Sequence, residues 1–376
     1  MPGNIYGSYR KVYMRKRLMC ILLAAAVLAA GCSTMRKEES VIKPQGSESE
    51  SSDTEITEFT IGDLNITEPV PEIPEIADLS QVSFAFEPHI HTDLLSEIVT
   101  DEMWESLYNM VDAIRIGDDS FKCSDEFAYE WCTYEVTVGM IYPPACTLVT
   151  GAGYENGIAK LKYHMDKDEF HVRCKEFEEE IVKILNEATR PEYSDFEKLM
   201  GLYDYMCKYW VYDYDDTTEH TCDNFGSYAC LMTRNGICSE IAYSLTYLLL
   251  QAGVEATPYG ASCNHDWTYV VIGGNGYHVD ATWALHGEMP EGQLLLENFM
   301  MTEEDRINDG LNPATFQVDF IWGWKADYDL KRFSATDSTF EPIRYGMVYK
   351  GIDTERNVLI YETYRSEIRE LSYGDM

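Results

Sequence analysis

The stretch from Cys238 to Trp283 decides the fold; it begins CSEIAYSLTYLLLQAG, continues through NHDWTYVV and ends HVDATW. Apolar residues after the cysteine recur at spacings of three and four: Ile241, Ala242, Leu245, Leu248 and Leu249. This spacing predicts a buried helix that ends before Gly253. Cys238 stands where a loop enters the first helical turn. Because a helix N-terminus stabilises an anion, that position favours thiolate over thiol.

Three strands are predicted beyond this helix, over residues 254–260, 266–272 and 277–281. The residues Gly273-Gly-Asn-Gly276 between the last two strands predict a hairpin turn. His265 opens one arm of this hairpin and Asp280 lies on the other, so folding brings the two side chains near each other. A cysteine on a helix with a histidine and an aspartate on neighbouring strands can act as nucleophile, base and orienting group.

The same residues resemble the catalytic core of the transglutaminase-like superfamily, in its bacterial branch, which shares a papain-like arrangement. The family pattern has Cys after a Gly-containing turn, then His-x-Trp, then Asp-x-Thr-Trp fifteen residues beyond the histidine. This chain has Cys238, His265-Asp-Trp267 and Asp280-Ala-Thr-Trp283 at those positions. Ser227-Tyr-Ala-Cys-Leu231 is similar to the family's lead-in, while Ser239-Glu240 replaces its common Gln-Gly. The resemblance covers residues 225–286, about a sixth of the chain.

The resemblance implies a cysteine-dependent acyl transferase or amide hydrolase that acts through a thioester on carboxamides of proteins or cell-wall peptides. Cys238 would be the nucleophile, His265 the base and Asp280 the residue that orients the base. Three aromatic residues are candidates for the walls of the cleft: Trp267, Trp283 and Tyr228. Cross-linking and hydrolysis both stay open. An alternative is a catalytically inactive binding protein of the same fold, tethered to the cell surface.

The predicted fold class is α+β. Its core is papain-like or transglutaminase-like, with the nucleophile helix packed on an antiparallel sheet. An N-terminal α+β extension and a short C-terminal β-rich extension flank this core. The chain divides into five predicted segments: a lipoprotein signal peptide (1–31), a disordered acidic tether (32–78), the N-terminal extension (79–190), the catalytic core (191–305) and the C-terminal extension (306–376).

The N-terminus predicts export and a lipid anchor. A basic stretch over 10–17 precedes the apolar run 18–30, which is too short for a comfortable transmembrane helix. The ending Leu28-Ala-Ala-Gly-Cys32 resembles the lipobox of bacterial lipoproteins, whose cysteine is acylated. Cys32 would therefore anchor the protein on the outer face of the bacterial cell membrane. An ordinary signal peptide with an incidental cysteine is the alternative. Residues 33–78 are rich in Ser, Glu, Thr and Pro, which predicts a disordered spacer.

Charge and composition limit the partners. The 376-residue chain has a formal net charge of −36, which argues against nucleic acid or an anionic lipid surface as a partner. A protein or peptide substrate is expected, with membrane contact through the lipid anchor alone. No cofactor or metal is predicted. His89-Ile-His91 would place two imidazoles on one strand face, but no third ligand follows at a convincing spacing.

The remaining patterns place elements around this core. In chain order they predict a helix over 93–116, two or more strands within 127–164, a helix over 167–188, a helix opened by a capping box at Ser194 to Glu197, and a terminal hairpin with strands at 347–352 and 357–361. Cys174 and Cys207 lie in helical apolar patterns and are interpreted as core residues.

Overall fold

A computed structural model describes residues 83–214, 221, 223–261, 265–285, 293–318, 330–344, 346–374 and 376. The predicted signal peptide, Cys32 and the acidic tether lie outside the described residues. Within these ranges no helix has both the length and the apolar character needed to cross a membrane. The chain from residue 83 onward falls in one compact unit, Gln81–Met376. The five predicted segment boundaries stay predictions.

The helices of the described residues are, in chain order, α1 (Asp101–Ile116), α2 (Glu126–Cys132), α3 (Glu135–Ile141), α4 (Lys167–Ala188), α5 (Asp195–Tyr209), α6 (Ser227–Thr233), α7 (Cys238–Gln251) and α8 (Glu303–Asn308). The strands are β1 (Ser120–Lys122), β2 (Val149–Glu155), β3 (Ile158–Tyr163), β4 (Val211–Tyr212), β5 (Asn235–Gly236), β6 (Ala256–Ala261), β7 (His265–Ile272), β8 (Asn275–Val279), β9 (Phe316–Val318), β10 (Val348–Asp353), β11 (Val358–Glu362) and β12 (Ile368–Ser372). Together they make a mixed α+β structure with several antiparallel sheets.

A four-stranded antiparallel sheet, in the order β8-β7-β6-β9, carries part of the candidate site. Helix α7 packs across β6 and β7. Every residue of β6 is buried, so both faces of this central strand are covered. The predicted apolar face of α7 is buried as well, and burial of that face stabilises the helix more than its intrinsic propensity does. The predicted helix, strands and hairpin of this region are confirmed.

Helix α5 packs against α7 and also contacts the C-terminal segment. Its predicted capping box is confirmed, because the Ser194 N–H donates to Glu197 (2.8 Å) and the Glu197 N–H donates to the Ser194 hydroxyl (3.3 Å). The Tyr373 hydroxyl donates to the same Glu197 carboxylate at 2.7 Å, and its ring stacks on Phe196 at 4.4 Å between centroids. Cys207, on the same helix, is buried as predicted, as is Cys174 on α4.

The prediction of two or more strands within 127–164 is confirmed, with both strands lying from Val149 onward. Residues 126–141 form α2 and α3, which were not predicted. Asp125 caps α2 by accepting the Ala128 N–H at 2.8 Å, and Trp131 and Ile141 are buried on the helices. Aromatic and β-branched residues have β propensity, but tertiary packing overrides a preference of this size. The helix predicted over 93–116 begins at Asp101 because Thr100 caps it.

The C-terminal residues form a separate three-stranded antiparallel sheet, in the order β10-β11-β12. Its first two strands confirm the predicted terminal hairpin. The third strand was not predicted, since four of its five residues are exposed and give no alternating apolar pattern.

Candidate active site

Cys238 is the first residue of α7, and the extended residue Ile237 precedes it. Its side chain is half-buried, whereas the thiol of Cys230 nearby is buried, and burial raises the pKa of Cys230 to about 12. The first N–H groups of a helix have no partner within the helix, and they carry the positive end of its dipole. Cys238 is therefore a reachable thiol at the end of a helix that favours an anion.

Glu240 holds the start of α7 in place. Its Oε2 accepts the Ile237 N–H at 2.9 Å, and its Oε1 accepts the Gly226 N–H at 2.5 Å. Gly226 precedes α6, so one carboxylate joins the first turns of two helices. Burial raises the pKa of Glu240 to about 7, although the two N–H donors act in the opposite direction. No local pattern indicated this role, because Ile237 is not a capping residue.

His265 and Asp280 meet where β7 begins and β8 ends. His265 Nε2 lies 2.6 Å from Asp280 Oδ2, and both side chains are buried. The other carboxylate oxygen, Oδ1, accepts the Thr282 N–H at 3.1 Å. Since Nε2 faces the carboxylate, Nδ1 is the ring nitrogen left for Cys238, whose side chain lies close enough to raise the pKa of the imidazole. The three side chains chosen from the sequence thus lie close together.

His265 and Asp280 each stabilise the charged form of the other. Burial by itself lowers the pKa of His265, but the Asp280 carboxylate and the neighbouring Cys238 outweigh it and raise that pKa to about 10. Burial tends to raise the pKa of Asp280, yet the cations of His265 and Arg306 hold it below its usual value. An imidazolium beside a carboxylate is therefore the expected state of this pair at neutral pH.

Two of the predicted cleft residues enclose the imidazole. The Trp283 ring stacks on His265, with centroids 4.7 Å apart and planes 12° apart, and the Trp267 ring lies at 6.0 Å. Trp267 Nε1 donates to His278 Nδ1 at 2.9 Å. Burial and the cations of Arg306 and Arg344 keep the pKa of His278 well below its usual value, so this ring is neutral and can accept. His278 thus fixes the orientation of Trp267.

Arg306 was not identified from the sequence. It lies on α8, its side chain is fully buried, and its Nη2 donates to Asp280 Oδ2 at 3.0 Å. The same carboxylate oxygen therefore receives both the imidazole of His265 and this guanidinium. Nothing in the local pattern around Arg306 could have indicated the contact, because the residue stands in a short polar helix 26 positions after Asp280.

Tyr228, the third predicted cleft residue, contacts α4. The Arg173 guanidinium lies 3.4 Å from the Tyr228 ring centroid, and Phe177 stacks on that ring at 5.8 Å. These contacts join α6 to the N-terminal part of the chain. A place for Tyr228 in a substrate cleft stays a prediction.

The other residues considered from the sequence lie apart from this group. His89 pairs with Asp112 at 2.9 Å, and His91 pairs with Asp93 at 3.1 Å. Across the part of the chain that the structure describes, no group of three or more His, Cys, Asp or Glu side chains is arranged to hold a metal ion.

Two cavities border this region. The larger, about 960 Å³, lies beside α8 and has none of Cys238, His265 or Asp280 in its lining. The smaller, about 330 Å³, shares Trp283 with the candidate site and has Asp309 on another wall. The cavity volumes do not identify the candidate site, because neither cavity is lined by the half-buried thiol of Cys238. Residues 262–264 and 286–292, which flank the site in sequence, lie outside the described residues.

Comparison with known proteins gives little more. No family model matches the chain, and no curated protein does so either. Among solved structures, the chain is similar to one described as "a Putative Cysteine Protease from Cytophaga hutchinsonii", with 15% sequence identity and a TM-score of 0.22. The match covers 36% of this chain and 61% of that chain, which is less than two thirds of its length. The chemistry of the site therefore has to follow from its own geometry.

Proposed function

We propose that this protein is a cysteine-dependent acyl transferase or amide hydrolase with a transglutaminase-like catalytic core. The observation that carries the proposal is the position of His265, whose ring contacts the Asp280 carboxylate at 2.6 Å and lies near Cys238 at the start of α7. A thiol nucleophile, a base and a residue that orients the base are the parts that acyl transfer through a thioester needs.

Transfer of the Cys238 thiol proton to His265 gives the imidazolium described above beside a thiolate. In the first half of the reaction, that sulfur attacks a carboxamide or peptide carbonyl carbon. The carbonyl π electrons move to oxygen, giving a tetrahedral oxyanion. The backbone N–H of Cys238 is a suitable donor to that oxyanion, because it lies in the first turn of α7. When the C–N bond breaks, the leaving nitrogen takes the proton from the imidazolium and departs as ammonia or an amine.

In the second half, an amine or a water molecule attacks the thioester carbon while His265 accepts its proton. Collapse of the second tetrahedral intermediate breaks the C–S bond and restores the Cys238 thiolate beside the His265 imidazolium. An amine acceptor gives a new amide bond, and water gives a carboxylic acid. Asp280 keeps the ring in one orientation throughout and stabilises its positive charge, which is the role of the aspartate in such a triad.

The location proposed with this activity is the outer face of the bacterial cell membrane, with Cys32 as the lipid-bearing residue. The basic stretch, the apolar run and the lipobox-like ending before Cys32 support it. A substrate on the cell surface follows from that location, and proteins or cell-wall peptides are the classes that offer carboxamides there.

The direct test incubates the purified full chain with glutamine-containing peptides and a primary amine and follows peptide masses. Incorporation of the amine would identify an acyl transferase, while deamidation or chain cleavage would identify a hydrolase. Each product should be lost in Cys238→Ala, because removal of the nucleophile leaves at most a small residual rate.

Cys230→Ala is the matched control, since it removes a buried thiol near the start of α7 and leaves Cys238 in place. It should retain the activity. Product formation that survives in Cys238→Ala would overturn the proposal. An inert wild-type protein, with Cys238 no more reactive toward iodoacetamide than an unfolded thiol, would favour the tethered binding protein instead.

A further inference from the structure

Arg306 is a buried cation in direct contact with the proposed triad. Its exposed fraction is 0%, and its guanidinium shares Asp280 Oδ2 with His265, at 3.0 Å and 2.6 Å respectively. A charge removed from water is retained only when an opposite charge and hydrogen bonds compensate it. Asp280 therefore has two buried cations, and its carboxylate is fixed from two sides.

The same guanidinium lies against both indole rings of the site. The Arg306 Cζ is 4.5 Å from the Trp267 ring centroid and 4.8 Å from that of Trp283. A guanidinium over an indole face is an attractive contact, and it is stronger where water is excluded. Since Trp283 also stacks on His265, Arg306 contacts both the ring that packs on the imidazole and the carboxylate that binds it.

Helix α8 anchors Arg306 at its other end. Nη1 pairs with Asp309 Oδ2 at 3.2 Å and lies 3.4 Å from the Met301 sulfur. The Thr302 hydroxyl accepts the Asp305 N–H at 3.2 Å, which completes the capping box at the start of this helix. Through these contacts, the guanidinium joins α8 to Asp280, the residue that follows β8.

We propose that Arg306 is a positioning residue of the active site, which holds Asp280 and Trp283 so that the His265 ring faces Cys238. This role rests on the function proposed above, and it acts through Asp280 and Trp283, not on a substrate. It adds to the Cys-His-Asp group a residue from outside the stretch that carries the sequence pattern.

The charge of Arg306 has a consequence that mere packing would not have. When His265 loses its proton in the native protein, Asp280 is still paired with Arg306. If a neutral residue replaced Arg306, loss of that proton would leave a buried carboxylate without a cation. His265 would therefore hold its proton to higher pH. Simple loosening of the site would do the opposite, because it would return the imidazole toward its ordinary pKa.

Other titratable groups also face this cluster. They are Cys238 on α7, Tyr203 and Cys207 on α5, His278 on β8, and Asp309 directly after α8. Burial raises the pKa of the Tyr203 hydroxyl and the Cys207 thiol well above their usual values, and His278 is held neutral. His278 is already neutral at the pH where His265 titrates, and burial disfavours the charged forms of Tyr203 and Cys207 there.

The experiment titrates the His265 ring by NMR in the full chain labelled at histidine, with the signal assigned from its absence in His265→Gln. In Arg306→Gln the titration midpoint should move upward by about one pH unit, the order expected when one neighbouring charge is removed. Arg306→Lys keeps the charge and should titrate like the wild type. The matched control is Arg344→Gln, which removes another buried guanidinium, one that binds the carbonyls of Phe299 and Met300 and pairs with Asp305.

An unchanged or lowered midpoint in Arg306→Gln would overturn the proposal, as would an equal shift in Arg344→Gln. If Arg306→Gln does not fold, Asp309→Asn replaces it, because Asp309 is one-third exposed. In this variant Arg306 no longer pairs with Asp309, and Asp280 is the carboxylate that it still contacts. The midpoint should then fall, and no movement would refute the role of Arg306. The titration needs no turnover, so an inactive protein would count against the proposed function without deciding this point.

Discussion

Asp280→Asn is the substitution whose effect the structure specifies most closely. It keeps the size of the side chain and removes the negative charge that His265 Nε2 contacts at 2.6 Å and Arg306 Nη2 at 3.0 Å. The buried His265 imidazolium then has no carboxylate, and Arg306 keeps only Asp309. Removing one partner of a buried ion pair costs about 3–5 kcal/mol, so at pH 6.5 we expect a loss of that order in the free energy of unfolding.

The pH dependence of the free energy of unfolding identifies how much of the stability lost in Asp280→Asn comes from the pairing with His265. Asp280 and Cys238 raise the pKa of His265 from 6.5 to about 10, against the effect of burial. A histidine whose pKa is raised in the folded state contributes stability that is fully present below about pH 6.5 and is lost as pH rises through about 10. One pH unit corresponds to about 1.4 kcal/mol, so the wild type should lose about 3 kcal/mol from this group between pH 7 and pH 9.5.

The assay is urea unfolding, under reducing conditions, of the wild type and Asp280→Asn at pH 6.5, 8 and 9.5. The difference in the free energy of unfolding between the two proteins should decrease steadily as pH rises. The part of that difference that comes from the Asp280–Arg306 pair should stay constant. Asp119→Asn is the control, since Asp119 is an exposed acid paired with Lys167 at the surface. The difference in the free energy of unfolding between Asp119→Asn and the wild type should not change with pH. A difference for Asp280→Asn that is constant or increases with pH would refute the reasoning.

Two further predictions concern the start of α7 and the N-terminus. Because burial raises the pKa of Glu240 to about 7, its contribution to stability is present below about pH 4.5 and is lost as pH rises through about 7. The wild type should therefore lose about 3 kcal/mol relative to Glu240→Gln between pH 4.5 and pH 8, measured by urea unfolding, and a change of the opposite sign would contradict this. Cys32→Ala should remove the lipid anchor, so fractionation of producing cells should find the protein released from the membrane, while Cys20→Ala, within the signal, should leave it membrane-bound.

Much of the region around the site could be predicted from local patterns. The spacing of apolar residues after Cys238 indicated α7, and Gly273-Gly-Asn-Gly276 indicated the turn between β7 and β8. These features depend on residues a few positions apart, so a helical or alternating period reports them directly. The two helices within residues 126–141 were not predicted, for the converse reason. The local composition there favours strands, and packing of Trp131 and Ile141 against the rest of the chain decides for helices.

The sequence by itself determined which three side chains meet, since Cys238, His265 and Asp280 sit at positions that a helix and a hairpin must bring together. Only the tertiary structure decided what surrounds them. Arg306 reaches Asp280 from a separate helix, and Glu240 joins the starts of two helices. Such contacts leave no periodic trace, because they depend on how elements pack and on the need of each buried charge for a partner.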